Sequence, residues 1–296
     1  MRFNYVICAC ARMEEEAIQE WIEYHRSVGF EHFFIYGNDD DPRTLAEVLS
    51  PYITTRIVTY IHCPEVGAQV KMYRHFLRWH AASCEWLCFL DIDEFIRLQG
   101  YHNSVAKLTA RAGREYDSVQ LNWLMYGTSG FRERPSGSVL RQYTRRESGL
   151  HINTKHITRA GVFAKQRILT GGFWHALPPE QARCCSALFE PVSYWDHMAD
   201  PAKSSLYPDY IATHSDDLIA RGCIAHFHLK SEADLMRRVR RSIGGDFRDQ
   251  VMYRRLAKNP ATKMSYIAGS NAVEDRYLQS YWQARVEKLI RRQVPL

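Results

Sequence analysis

Two periodicities take turns along the first half of the chain, and their alternation predicts the fold. Tyr5–Ala11 is a short β-prone run. Between Glu14 and Val28, Ala17, Ile18, Trp21, Ile22 and His25 recur at the spacing that gathers one apolar face on a helix, and Gly29 is placed to close it. His32–Tyr36 predicts a second strand that ends in the polar turn Gly37–Pro42. A short helix over Thr44–Leu49, a third strand over Thr54–Ile61 and a helix from Gln69 to Ala82 follow. Trp86–Leu90 is apolar without interruption, the pattern of a strand covered on both faces.

Beyond it, Ser104–Ala112 reads as a helix and Ser118–Trp123 as a strand. From Gly127 to Pro191 the pattern loosens into Gly, Arg, Ser and Pro, with strand-like pieces over Val139–Tyr143 and Ile157–Phe163. This stretch reads as the variable half of the same domain, with loops that face a ligand. Ile224–Leu229 predicts a late strand, and Ser231-Glu232-Ala233-Asp234 a capping-box-like start to a helix running through Ile243. Asn271–Arg292 predicts a terminal helix with Leu278, Trp282, Val286 and Leu289 on one face. There is no internal repeat. The expected class is α/β: an open, mostly parallel sheet flanked by helices, with a helical C-terminal extension. The expected division is residues 1–245 for the sheet domain and 246–296 for the extension packed on it.

Composition narrows this only slightly. Among 296 residues, 46% are hydrophobic and 24% charged, ordinary globular values that exclude a disordered, collagenous or fibrous chain. No run approaches the ~20 apolar residues that span a bilayer, and the first apolar run stops at Glu14-Glu15-Glu16, so a soluble, cytoplasmic protein is expected. The eight cysteines contain no Cys-x-x-Cys pair, which argues for reduced, buried thiols rather than a zinc ribbon. A net charge of +6 is mild but unevenly placed. Arg237, Arg238, Arg240 and Arg241 crowd one helix beside Leu235, Val239 and Ile243, and Lys288, Arg291 and Arg292 end another. These are either solvated helix faces or a docking surface for an anionic membrane or a phosphate-bearing lipid-linked glycan. No dense basic tract or RNA-binding signature points to nucleic acid.

The chemistry concentrates in Asp91-Ile92-Asp93-Glu94, directly after the fourth strand, where open parallel sheets place their ligands. In an extended segment residues two apart share a side, so Asp91 and Asp93 are expected to converge on one ligand. Paired carboxylates suit Mg²⁺ or Mn²⁺ bridging a diphosphate; the bland alternative is carboxylates that cap the next helix or face water.

Here a resemblance becomes specific. Glu14 with Glu20-Trp21-Ile22-Glu23-Tyr24-His25, then Gly29-Phe30-Glu31-His32-Phe33, is similar to the opening of glycosyltransferase family 92. Tyr36-Gly37-Asn38-Asp39 resembles its next turn, with Gly37 in place of the usual acid. Gln69 with Tyr73, Leu90-Asp91-Ile92-Asp93-Glu94-Phe95, Gly127-Thr128-Ser129-Gly130, Lys155 and His226-Phe227-His228-Leu229-Lys230-Ser231 follow in the family's order. The chain therefore looks like a GT-A-type (Rossmann-like) glycosyltransferase, of family 92 or its bacterial family-2-like relatives.

The resemblance implies roles. Asp93 would ligate a divalent metal, Mn²⁺ or Mg²⁺; Asp91 would hold the metal or the donor ribose; His226, otherwise a core histidine, would be the third protein ligand. Ala9, Arg12 and Asp39 would line the nucleotide base, with Gln69 beside the donor. Lys155 and Lys230 would meet the diphosphate unless they are merely solvated. The acceptor hydroxyl needs a carboxylate base, for which Asp196 is favoured over Glu94. Trp123, Trp174 and His175 could shape the acceptor site or simply fill core. The implied activity is metal-dependent, inverting transfer from a UDP-sugar, galactose first, to a glycan or lipid-linked glycan in bacterial surface polysaccharide or lipopolysaccharide synthesis. A location at the inner membrane face would fit the basic helices. Two rivals are a haloacid-dehalogenase-like phosphatase using Asp91, and a non-catalytic nucleotide-sugar-binding protein.

Overall fold

The computed structural model describes residues 2–65, 67–164, 172–199, 205–235 and 258–293. Arg237, Arg238, Arg240 and Arg241 and the expected boundary at residue 245 lie outside them. The chain divides into two compact units, Met1–Trp123 with Gly149–Ile224 and Leu124–Ser148 with Ala225–Leu296.

The first unit opens as a strand–helix alternation. Strands β1 (Phe3–Ala11), β2 (His32–Gly37) and β3 (Val58–His62) alternate with helices α1 (Ile18–Val28) and α2 (Arg43–Thr54). Helix α3 (Gln69–Trp79) then leads to β4 (Cys84–Phe89). These four strands pair in parallel, with Cys10 opposite Tyr36 and Cys8 opposite Phe89. β5 (Glu94–Arg97), α4 (Val105–Ala112), β6 (Ser118–Met125), the single-turn helix α5 (Val139–Gln142) and β7 (Arg145–Arg146) come next, followed by β8 (Thr154–Arg159). β8 is antiparallel to both β4 and β6. After α6 (Gly161–Ala164), β9 (Cys184–Cys185), α7 (Tyr194–Ala199) and α8 (Leu206–Arg221), β10 (Cys223–His226) completes a nine-stranded sheet among the described residues. Its order is β3-β2-β1-β4-β8-β6-β10-β5, with β9 beside β6. The α/β architecture and the mostly parallel open half are as expected. The apolar strands lie between helix faces: Val6, Cys8, Phe34, Leu87 and Phe89 pack with Met72, Tyr73 and Phe76 of α3.

Several boundaries differ from expectation for local reasons. Gly29 takes the left-handed conformation (φ 111°) and returns its N–H to His25 O and Arg26 O, ending α1 where the sequence placed the stop. α2 runs five residues past Leu49, because Leu45 and Leu49 are buried one turn apart and Pro51 falls on the exposed side; β3 consequently starts only at Val58. Val139–Tyr143 is not strand-like. Ser138 Oγ accepts the Arg141 N–H at 3.1 Å, and that cap turns the segment into α5. Ile157–Phe163 is split, β8 stopping at Arg159 and α6 beginning at Gly161. The late strand β10 ends at His226, three residues early.

In the second unit, the expected capping box is present: Ser231 Oγ accepts the Asp234 N–H, and Asp234 accepts the Ser231 N–H, each at 3.1 Å. Arg134 grips Asp234 from Nε and Nη2, the latter at 2.7 Å. The terminal helix does not begin at Asn271. α9 (Pro260–Ser270) ends there, β11 (Val273–Glu274) pairs antiparallel with β7, and α10 (Tyr277–Gln293) follows. Asn271 is diverted to the glycine turn, where its Oδ1 accepts the Ser129 N–H at 2.8 Å and its Nδ2 donates to Thr128 Oγ1 at 3.1 Å. A Cβ on Gly127 would lie 2.5 Å from Ser270 O, so the Gly127–Gly130 signature is a close-packed turn of this unit. Leu278 and Trp282 of α10 are buried, as its periodicity predicted.

Candidate functional site

The carboxyl end of β4 carries the acidic residues into a turn, not an extended segment. Glu94 N–H donates to Asp91 O at 3.1 Å, and the Asp91 N–H returns to Glu94 Oε2 at 3.0 Å. The expectation that Asp91 and Asp93 share a side by strand alternation is therefore corrected: the link between β4 and β5 is a hydrogen-bonded turn over Asp91–Glu94, and turn geometry sets where each carboxylate points.

Lysine and glutamine hold this turn from two other elements. Lys155 of β8 places Nζ 2.9 Å from Asp91 Oδ2 and 3.4 Å from Glu94 Oε2. Gln69, heading α3, donates from Nε2 to Asp91 Oδ1 at 3.1 Å and to the Tyr73 hydroxyl at 3.2 Å. The Lys155 and Glu94 side chains are 0% exposed, whereas Asp91 retains 35%, so Asp91 is the member that an incoming ligand can reach. Burial pulls the Lys155 pKa down, but the carboxylates of Asp91 and Glu94 outweigh burial and raise it above the ordinary lysine value. Lys155 is thus a permanent ammonium that orients carboxylates, and Glu94 is folded back onto its own turn.

Aromatic residues extend the site. Tyr73 meets Trp174 edge-on at 5.5 Å; Trp174 lies 5.7 Å from His175, and His175 lies 5.5 Å from Trp123. The three candidate acceptor residues are therefore contiguous, and Tyr73 joins them to Gln69 and Asp91. His175 Nδ1 donates to Thr154 O at 2.8 Å, and burial with the nearby Lys155 charge pushes its pKa down to about 3. His156, not anticipated from the sequence, hydrogen-bonds His175 O and Ser118 Oγ; burial lowers it to about 4. Cys10, also unanticipated, touches Met72 Sδ at 3.2 Å. Burial, and after it the Asp91 charge, raise its pKa well above the ordinary thiol value, which keeps it a thiol.

The base-lining candidates sit at the ends of β1 and β2. Ala9 is fully buried in β1. Arg12 donates to Asn38 O and pairs with Asp40 at 3.3 Å. Asp39 Oδ1 accepts the Met13 N–H at 2.7 Å, while its Oδ2 is buried with no hydrogen-bond partner among the described residues. Burial raises the Asp39 pKa. Such an atom is an acceptor waiting for an N–H or O–H donor.

The remaining candidates are Asp196, His226 and Lys230. Asp196 is half-buried in the first turn of α7, its N–H on Ser193 Oγ at 3.3 Å. In the second unit, His226 ends β10 with its carbonyl accepting the Tyr126 N–H at 2.9 Å and its ring 5.6 Å from that of His228. Lys230 is 5% exposed and holds a left-handed backbone (φ 56°), rare for lysine. Among the described residues no group of three His, Cys, Asp or Glu is gathered to hold a metal ion. Two hard carboxylates are nevertheless a sufficient protein share for Mg²⁺ or Mn²⁺ when substrate phosphates and water complete the shell.

Residues 4–164, more than half of the chain, match the family model Glycosyltransferase family 92, and the chain belongs to that family. The matched span contains Ala9, Arg12, Asp39, Gln69, Asp91, Asp93, Glu94 and Lys155; Asp196, His226 and Lys230 fall outside it. A glycosyltransferase family 92 protein of Ricinus communis is 30% identical over 154 residues, 48% of this chain and 27% of that protein. One of Oryza sativa subsp. japonica is 35% identical over 102 residues, 33% of this chain and 17% of that protein. The matched stretch thus spans about a quarter or less of these plant relatives. Among solved structures, S. aureus TarS 1-349 is similar at a TM-score of 0.38 and 15% identity, covering 55% of this chain and 48% of that one. GalNAc-T7 with UDP, GalNAc and Mn²⁺ is similar at 0.34 and 10%, covering 57% and 39%.

The buried histidines make stability pH-dependent. His25 in α1 is fully buried and lowered by burial to about 3. Its folded pKa lies below its unfolded one, so the unfolded chain binds the extra proton between the two. Stability is then complete above about pH 6.5 and falls as the pH drops. At pH 5 this one group is expected to remove about 2 kcal/mol, and His156 and His175 act in the same direction. Urea midpoints at pH 7.5 and 5.0 measure it; equal midpoints would contradict it.

Proposed function

We propose that the chain is a metal-dependent, inverting glycosyltransferase that moves a sugar from a UDP-sugar, galactose first by family resemblance, to a glycan hydroxyl. The observation that carries this reading is the acid turn at the carboxyl end of β4. There Asp91, braced by Lys155 and Gln69, stays open to solvent in a chain of glycosyltransferase family 92. Asp91 and Asp93 would ligate Mn²⁺ or Mg²⁺, with His226 as third protein ligand on the strength of its signature alone. When bound, the cation neutralises charge on the departing nucleoside diphosphate.

The chain's own residues supply the rest. Asp39 Oδ2, buried and unpartnered among the described residues, suits the imino N–H of uracil; cytosine offers a lone pair at that ring position, and two acceptors would repel. This favours UDP- over CMP-sugars. Trp123, Trp174 and His175 present an aromatic wall beside Asp91 for the sugar or acceptor. Glu94 is buried against Lys155, so Asp196, half-buried on α7, is the better base for the acceptor hydroxyl. The acceptor would be a glycan or lipid-linked glycan of surface polysaccharide assembly, whose phosphates, or an anionic membrane, would be met by Lys230 and by the basic residues of the sequence near Arg237–Arg241 and Lys288–Arg292. No described helix is long and apolar enough to cross a membrane.

A donor screen tests this. UDP-, GDP- and CMP-sugars are incubated with and without Mn²⁺, and nucleotide release is followed. UDP release dependent on Mn²⁺ is expected. Binding of UDP without turnover of any sugar would favour the non-catalytic reading, and phosphate release from monoesters the phosphatase.

A further inference from the structure

The acid turn is braced from its far side by α1, through contacts that engage backbone groups. β5, the strand leaving the turn, stands at the end of the sheet order among the described residues. An end strand leaves one row of N–H and C=O groups without a ladder partner. Three fully buried α1 side chains meet that row. Trp21 Nε1 donates to Glu94 O at 2.8 Å, the Tyr24 hydroxyl donates to Ile96 O at 2.8 Å, and Ile96 N–H donates to His25 Nε2 at 3.2 Å. His25 Nδ1 lies 2.8 Å from Trp21 O, which can only accept. Nδ1 therefore carries the proton and Nε2 is left as the acceptor that Ile96 requires. The His25 ring also stacks on Phe95 at 5.7 Å.

Glu94 belongs to both structures. Its carbonyl is held by Trp21, and its carboxylate accepts the Asp91 N–H and faces Lys155. A shift of β5 along or away from α1 thus displaces the group that shapes the turn and, through Lys155, the orientation of Asp91.

We propose that Trp21, Tyr24 and His25 are positioning residues for the donor site: they lock the edge of β5 and thereby fix the geometry of the Asp91–Glu94 turn. This rests on the donor reading given under Proposed function for its consequence in binding, but the mechanical half stands on its own.

Two readouts separate the two halves. Amide hydrogen exchange at Asp91 and Glu94 reports the turn directly, and titration with UDP in the presence of Mn²⁺ reports its use. Trp21→Phe keeps an aromatic side chain but removes the indole N–H donor along with part of the ring volume, which is why Tyr24→Phe, a loss of one hydroxyl alone, is measured beside it. Trp21→Phe is expected to speed exchange at Asp91 and Glu94 at least tenfold, leave Phe34 in β2 unchanged, and weaken UDP binding with Mn²⁺ by about tenfold. Leu49→Ala in α2 provides a variant destabilised away from β5, with wild-type exchange at the turn and wild-type affinity. His25→Gln, which can both donate and accept, is expected to behave as wild type, and His25→Leu as Trp21→Phe. Should Trp21→Phe fold poorly, Tyr24→Phe, which loses one hydroxyl, is read in the same way. Exchange and affinity in Trp21→Phe or His25→Leu no different from Leu49→Ala would overturn the proposal. If wild type itself does not bind UDP with Mn²⁺, the donor reading fails, and exchange at Asp91 and Glu94 alone decides whether α1 sets the turn.

Discussion

Lys155→Met is expected to lower stability by about 3–5 kcal/mol, the cost of breaking a buried ion pair by removing one partner. For a unit of this size, that corresponds to a fall in Tm on the order of 10 °C. Methionine fills the space of the lysine stem, so lost packing contributes little and the effect is electrostatic. Glu94 is 0% exposed with its carboxylate 3.4 Å from Nζ; without the ammonium it is an uncompensated buried charge or takes up a proton. Protonation relieves the penalty, so the loss relative to wild type should be smaller at pH 5 than at pH 8. Adding Glu94→Gln should recover part of it. Urea denaturation of both variants at the two pH values measures this, and an equal loss at both pH values would mean that Glu94 is not the stranded group.

Under the proposed metal-dependent transfer from a UDP-sugar, Asp93→Asn is expected to reduce Mn²⁺-dependent turnover by about a thousandfold, the scale of removing one preorganised electrostatic partner from a developing charge. Asparagine keeps the shape of the side chain and deletes its charge, so circular dichroism and the melting temperature without ligand should change little. A structural aspartate would give the opposite pattern, a lower melting temperature with turnover retained. Wild-type dependence on Mn²⁺ in this variant would remove Asp93 from the metal site.

How much of the site was visible in the sequence depended on whether a residue acts through its type or through its neighbours. Asp91, Gln69 and Lys155 could be named from order and motif, and all three meet in the fold. Their division of labour could not. Lys155 reads as a diphosphate contact because the resemblance to glycosyltransferase family 92 implies that role. Complete burial between two carboxylates, a consequence of β8 lying beside β4, makes it a holder of Asp91 instead. Glu94 similarly reads as a free carboxylate until its own turn folds it back on the Asp91 amide. The motif from Glu20 to His25 shows a helix face in its periodicity, but nothing in a 3.6-residue period says that Trp21, Tyr24 and His25 each meet a backbone group some seventy residues away.

Boundaries failed where one polar side chain overrode the local pattern. Ser138 caps α5 in a stretch that looks β-prone, and Asn271 leaves its apparent helix to close the turn at Thr128 and Ser129. The start of α9 at Asn259 and Pro260 was not anticipated; there Asn259 Oδ1 accepts the Thr262 N–H at 3.0 Å.

By itself, the sequence determined the α/β class, the acidic turn after an uninterrupted apolar strand, and membership of glycosyltransferase family 92. Those properties are written in periodicity and residue order, which each segment carries locally. Only the tertiary structure decided which carboxylate stays open, which is buried against Lys155, and which backbone groups Trp21, Tyr24 and His25 of the first helix meet. Those outcomes depend on strand order and on α1 side chains meeting the backbone groups of β5, and both exist only once distant segments have met.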